Sequence, residues 1–343
     1  MKIVVDAFGG DNAPREIIGG AISAVNLQED IEIILTGDAD RIEDELNYFN
    51  YKGDKIQIVH ASEMITNDDV PTSAIKNKKD SSLVVALDLL KTRDDVCGLV
   101  SAGSTGAVLA GALLKIGRIK GVARPALAPE LPNAKGGKTL LIDCGANVDS
   151  KPQYLQQFAL MGSAYMKAVH NMENPRVALL SNGVEDKKGN ELVHEAFALL
   201  KQTEGINFVG NMEARDLLSG EYDVVVSDGF AGNVALKSSE GAVQFVLQEI
   251  KNAITQSGIR GKLGALLLKN VFKSLKKKLN YTQSGGSPFL GVQKLVIKSH
   301  GSSKAMSIYE SIMQVYRMHE SQMIPNLQKG LQENDQVENS AKA

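Results

Sequence analysis

The chain has 343 residues, of which 43% are apolar, and its 38 basic and 40 acidic side chains leave a net charge of −2. That is enough chain and apolar content for a sizeable core, in two domains or one large α/β domain with two lobes. No apolar run approaches the ~18 residues needed to span a bilayer, and Cys97 and Cys144 sit in no C-x-x-C or Cys/His metal pattern. These features exclude a spanning protein and a disulfide scaffold, and a cytoplasmic place in a reducing compartment is expected.

Taken in chain order, five apolar β-branched runs each break into a loop of Gly, Asn, Asp and Ser. The first is Ile3-Val4-Val5 into DAFGGDNAP at 6–14, followed by a helical face of Ile17, Ile18, Ala21, Ile22 and Val25. Strands are expected at 31–35 and 56–59, and a helix over 83–91 behind the cap-like Asp80-Ser81-Ser82. Leu99-Val100 then enters SAGSTGA at 101–107 with a helix over 108–115, and Leu140-Leu141-Ile142 enters DCGAN at 143–147. Residues 177–180 enter SNGVEDKKGN at 181–190, a further strand is expected at 206–209, and Val224-Val225-Val226 enters SDGFAGN at 227–233. Strand alternating with helix predicts a doubly wound, mostly parallel α/β sheet. Its loops are expected to gather at one sheet edge, outside the carboxyl ends of the strands, where small anions bind.

Between Glu249 and Glu310 there is no acidic residue, and eleven cations fall there. Wound on one helix over 260–280, Lys262, Lys269, Lys273, Lys276 and Lys277 share a stripe, and Leu263, Leu267, Val271, Leu275 and Leu279 run down a second, apolar face with Leu266, Leu268 and Phe272 beside it. This basic amphipathic element is expected either to pack on the core or a dimer partner, or to meet an acidic protein or anionic membrane. Nucleic acid is not expected, since no binding motif and no Trp accompany the lysines. A last strand at 295–298 enters SHGSS at 299–303. From Gln328 the chain loses its large apolar residues, and 328–343 is expected to be a disordered polar tail behind a single two-lobed domain over 1–327.

The loops hold the candidate chemistry. Gly103, Ser104, Thr105 and Gly106 offer backbone and hydroxyl donors at a helix start, without the Gly-Lys-Ser/Thr ending of a Walker A loop. Lys187 and Lys188, beside Gly189 and Asn190, form an anion clamp or a solvated turn. Asp143 and Asp228 stand at strand ends, followed by Asn147 and Asn233, to orient a ligand or to tie turns. His300 is a donor to phosphate or a structural partner of the backbone. No G-x-S-x-G elbow is present, and His194-Glu195 lacks the second histidine of a zinc motif. No spacing requires a metal or other cofactor.

Together DAFGGDNAP, KKDSS (78–82), SAGSTGA, GRIKGVARPALAPELP (117–132), DCGANVDSKP (143–152), VEDKKGNEL (184–192), FVGNMEARDLL (208–218), DGFAGNVALK (228–237) and KSHGSS (298–303) run in order across nearly the whole chain. In this the sequence resembles the bacterial acyl-acyl carrier protein:phosphate acyltransferases. The family commonly has His where Asn12 stands and Asn where Ser104 stands, which moves the expectation there toward backbone N–H groups. The resemblance implies a fold like that of the isocitrate and isopropylmalate dehydrogenases and phosphate acetyltransferase, and a homodimer. It implies transfer of a fatty acyl group from acyl carrier protein to inorganic phosphate for phosphatidic acid and phospholipid synthesis, near a membrane-bound glycerol-3-phosphate acyltransferase. Lys187 or Lys188 would then neutralise phosphate, Asn233 and Asn147 orient it or the oxyanion, the 103–106 backbone, Asn190 and His300 hold it, and Asp228 or Asp143 orient the lysines. Two alternatives remain from the residues: an NAD-dependent decarboxylating dehydrogenase of the same fold, and a nonenzymatic scaffold for carrier protein or membrane.

Overall fold

The computed structural model describes residues 1–279 and 285–341; the side chains of 276–279 and 333–341 lie outside the description. The first half runs β1 (Lys2–Asp6), α1 (Arg15–Leu27), β2 (Glu32–Gly37), α2 (Ala39–Tyr48), β3 (Ile56–His60), α3 (Pro71–Asn77), α4 (Ser82–Thr92), β4 (Val96–Ser101) and α5 (Thr105–Gly111). A π-helical turn, Ala112–Ile116, extends α5. Next come β5 (Ala126–Leu127), β6 (Glu130–Pro132), β7 (Lys138–Ile142), α6 (Pro152–His170), β8 (Arg176–Ser181), α7 (Glu191–Gln202), β9 (Asn207–Glu213) and β10 (Val224–Val226). The chain closes with α8 (Gly229–Gln256), α9 (Gly258–Leu267), α10 (Lys269–Leu279), β11 (Ser287–Leu290), β12 (Leu295–Lys298), α11 (Ala305–Glu320) and α12 (Met323–Ala341).

The strands form two sheets, ordered β3-β2-β1-β4-β12-β11-β5 and β6-β7-β10-β8-β9. Each has a parallel centre, and the antiparallel strands β11, β5 and β6 lie where the chain leaves one sheet for the other. This corrects the expectation of one sheet edge: the loops after β1, β4 and β12 belong to the first sheet, and those after β7, β8 and β10 to the second. The reason is that a buried parallel strand reads as a continuous apolar run whichever sheet holds it. In β1, Ile3 and Val5 pack toward α1 and α11 while Val4 packs toward α4 and α5, all without exposure. The strand is therefore covered on both faces, as three consecutive β-branched residues require.

Two further expectations are corrected. The 260–280 element is not one helix but two, broken at Leu268. Gly258, Gly261 and Gly264 weaken the helical preference of this stretch. Among its described side chains Ile259, Leu263, Leu266, Leu267, Leu268 and Val271 are exposed, as are Lys262, Lys269 and Lys273; Lys276 and Lys277 lie outside the described side chains. The expected tail from 328 is helical to Ala341, because α12 docks on α6 and buries Leu327 and Leu331. No described helix is long and apolar enough to cross a membrane.

Candidate active site

The loops of the first sheet are knitted to one another. Ser101 Oγ donates to Asp6 Oδ2 at 2.7 Å and accepts from the Gly103 N–H at 3.1 Å. A Cβ on Gly9 would lie 2.6 Å from both Asp6 Oδ2 and Gly103 N, so only glycine lets these two loops meet. Asp11 N–H donates to the Gly301 carbonyl at 2.8 Å, and Asn12 Nδ2 reaches the carbonyls of Ser302 and Ser303. Burial pushes the Asp6 carboxyl above its ordinary value, opposed by hydrogen bonds from Ser82, Ser101, Phe8 and Gly9.

Asp143 organises the second sheet's loops. It is fully buried and accepts five hydrogen bonds, from the N–H groups of Leu127, Cys144, Ala146 and Asn147 and from Asn147 Nδ2. Asn147 spends its other amide hydrogen on the Pro125 carbonyl at 2.8 Å, and its own carbonyl accepts from Gly229 N. Both residues therefore brace the turn after β7, against which the start of α8 lies. A Cβ on Gly232 would lie 2.0 Å from the Asp143 carbonyl oxygen, so α8 begins tight against this turn.

Between the two sheets lies a cleft of about 300 Å³. Thr105, Gly145, Asn233, Lys237, Lys298 and His300 line it, together with Glu130, Glu240 and Cys144. Of the first six, Lys298 is the carboxyl-terminal residue of β12, and the other five follow the carboxyl end of a parallel strand: β4, β7, β10 or β12. That is where ligands bind in open α/β sheets. The first-turn N–H groups of α5 have no intrahelical acceptor, and Ser104 makes no side-chain capping bond.

Two lysines are the cations of the cleft, on a lining that also carries Glu130 and Glu240. Lys298 ends the otherwise apolar β12, is 7% exposed, and donates to the Ser299 carbonyl. Burial pushes its ammonium down to about 8, with Asp11 and Asp6 opposing and Lys237 reinforcing that shift. Lys237 stands one helical turn after Asn233 and pairs with Glu240 at 2.7 Å. Burial, with Lys237 nearby, pushes His300 below the usual imidazole value, so the ring is neutral at pH 7. Its Nδ1 accepts from the Ser302 N–H at 3.2 Å, which assigns the ring proton to Nε2. Burial pushes the Cys144 thiol well above its ordinary value, with Asp143 adding to the shift, so this thiol stays protonated and unreactive. Burial alone would raise Glu130, but hydrogen bonds from His170 and Tyr165 hold it below the usual carboxylate range.

Of the residues expected from sequence, the cleft brings together Thr105, Asn233 and His300. Gly103, Ser104 and Gly106 flank Thr105, but the Gly103 N–H is already donated to Ser101. Four others hold structural posts. Asn147 braces its turn, Asp228 caps α8 by accepting from the N–H groups of Phe230 and Ala231, and Asn190 caps α7 by accepting from Val193. Asp143 has no lone pair left for a lysine. Lys187 and Lys188 are exposed and do not line the cleft; their loop borders a separate groove with Phe230 and Val234. Lys237 and Lys298 were not among the site residues expected from sequence. Their signals were the i, i+4 spacing from Asn233 and a lone charge ending the apolar run Leu295-Val296-Ile297.

The architecture is an α/β fold like that of the phosphotransacetylases. A phosphotransacetylase from Streptococcus pyogenes superposes with a TM-score of 0.63 at 18% identity, covering 95% of this chain and 94% of that one. A Salmonella typhimurium protein described as a 4-hydroxythreonine-4-phosphate dehydrogenase gives 0.50 at 14% identity, with 93% and 99% covered. In sequence, residues 1–326 match the family of fatty acid synthesis proteins. The phosphate acyltransferase of Clostridium tetani is 45% identical over 331 residues, 96% of this chain and 98% of that protein. The chain belongs to this phosphate acyltransferase family.

Proposed function

We propose that the protein transfers a fatty acyl group from the thioester of acyl carrier protein to inorganic phosphate, giving acyl phosphate for phosphatidic acid and phospholipid synthesis. The observation that carries this reading is the pairing of Lys298 and Lys237 with neutral donors in one small cleft between the sheets. A phosphate dianion entering it meets two cations, and the thioester oxygen gains charge beside the Asn233 amide, the Thr105 hydroxyl and His300 Nε2–H. A phosphate oxygen attacks the carbonyl carbon, a tetrahedral oxyanion forms, and the carbon–sulfur bond breaks to release the carrier thiol. Phosphate is already nucleophilic near neutrality, so positioning and charge stabilisation carry the rate. The protonated, buried Cys144 favours direct displacement over an acyl-enzyme. Membership of the family sets the dehydrogenase and scaffold readings aside.

With acyl-acyl carrier protein and radiolabelled phosphate, label should move into an organic-extractable acyl phosphate. Label that stays in inorganic phosphate while thiol accumulates would exclude the transfer.

The reading includes a homodimer in the cytoplasm, attached peripherally to anionic membrane beside a membrane-bound glycerol-3-phosphate acyltransferase. The exposed leucines and lysines of α9 and α10 support the attachment, since each Lys at an anionic surface contributes ~1 kcal/mol. Leu266, Leu267 and Leu268 changed together to Ser should reduce capture on anionic vesicles while leaving binding of the acidic carrier protein. Lys262, Lys269 and Lys273 changed together to Glu should weaken both. Unaltered capture in both variants, with a dissociated dimer, would make this element a packing surface.

A further inference from the structure

Beside the cleft lies a second cavity of about 330 Å³, lined by Leu131, Leu218, Leu236, Val243 and Leu275 with Glu240 at its border. Leu131, Leu236 and Glu240 line both spaces, so the two adjoin along α8 and β6. Their linings differ in chemistry. The cleft has Lys237, Lys298, His300 and Asn233 beside Leu127, Leu131 and Leu236, whereas the neighbouring cavity has no cation and is lined by five large aliphatic side chains with Asn133, Ser239 and Glu240. Its amide, Asn133, is already committed, accepting from Gly137 N at 2.9 Å and donating to Thr139 Oγ1 at 3.3 Å. No buried side-chain polar atom among the described lining residues lacks a partner, so nothing there calls for a polar ligand. The Lys237–Glu240 ion pair stands at the boundary, with Lys237 on the cleft side only.

We infer that this cavity receives the aliphatic chain of the acyl donor, with the thioester carbonyl held in the adjoining cleft. The inference rests on the acyl-transfer reading and adds to it a chain-measuring site. An apolar chain threaded past Leu131 and Leu236 leaves water, whereas phosphate stays with the lysines; the same two linings thus separate the two substrates. Val243, one side of the cavity, sits two turns along α8 from Leu236, so its size sets how deep the chain can run.

The test is a length series of acyl-pantetheine thioesters, from four to eighteen carbons, with phosphate-dependent thiol release as readout. In the unmodified protein kcat/KM should rise about four-fold per methylene until the cavity is full, then level off. Val243→Trp should end the rise several methylenes earlier, and Val243→Ala should extend it. Val243 is only partly buried, so both variants are expected to keep the parent melting temperature. Phosphate-dependent release with a flat length profile, or variants that change every length alike, would overturn the cavity assignment and leave the acyl-transfer reading standing. Release independent of phosphate at every length would overturn both.

Discussion

Changing Lys298 to Met lowers phosphate-dependent acyl transfer by about 10²–10³-fold, the usual cost of removing one charge-stabilising donor, while the melting temperature holds or rises. The two outcomes separate because Lys298 is a buried cation whose desolvation works against folding. The same residue sets a pH limit. Its ammonium is charged below about 8 and neutral above, so the attraction for a phosphate dianion is full at neutral pH and fades as pH rises through that value. The kcat/KM for phosphate should therefore fall on the alkaline side with an apparent pKa near 8, and bound phosphate should move the corresponding limb of kcat higher. Lys298→Arg keeps its charge throughout and should flatten the alkaline limb. A profile unchanged between Lys and Arg would remove Lys298 from phosphate binding.

The second large effect is on folding. Asp143→Ala should lower the free energy of unfolding by about 3–5 kcal/mol in urea titrations, because four backbone N–H groups and the Asn147 amide lose their acceptor together. Each stranded donor costs about 1–3 kcal/mol, reduced where water enters the space left by the carboxylate. Asp143→Asn should recover little, since an amide nitrogen then faces N–H donors. A loss below about 1 kcal/mol would show that the turn is held by other means.

Strand and helix positions were legible because buried parallel strands are short apolar runs and the helices carry faces at 3.6-residue spacing. The runs at 3–5, 140–142 and 224–226 and the strand at 295–298 all fall within observed strands. Sheet membership was not legible, since pairing is decided by partners far along the chain. The short strands β5, β6 and β11 escaped because, unlike β10 and β12, none carries a β-branched residue. At the site, glycine-rich strand ends located the right loops, but side-chain roles within them depend on what each polar atom already touches. Asn147 and Asn233 read alike in sequence, yet the first is consumed by Pro125 and Asp143 while the second lines the cleft. Lys187 and Lys188 were the more conspicuous cations as a pair, whereas Lys298 gains its importance from burial, which no local pattern of a surface-type residue declares.

The central claim is that phosphate, held in the cleft between the sheets, is the nucleophile toward a carrier-protein thioester. Thiol release from acyl-acyl carrier protein, followed with and without inorganic phosphate and with hydroxylamine added to the products, tests it most directly. Release should saturate with phosphate, fall to background without it, and yield one equivalent of hydroxamate per thiol from the acyl phosphate formed. Equal release in the absence of phosphate, with free fatty acid as the product, would make water the nucleophile and contradict the account.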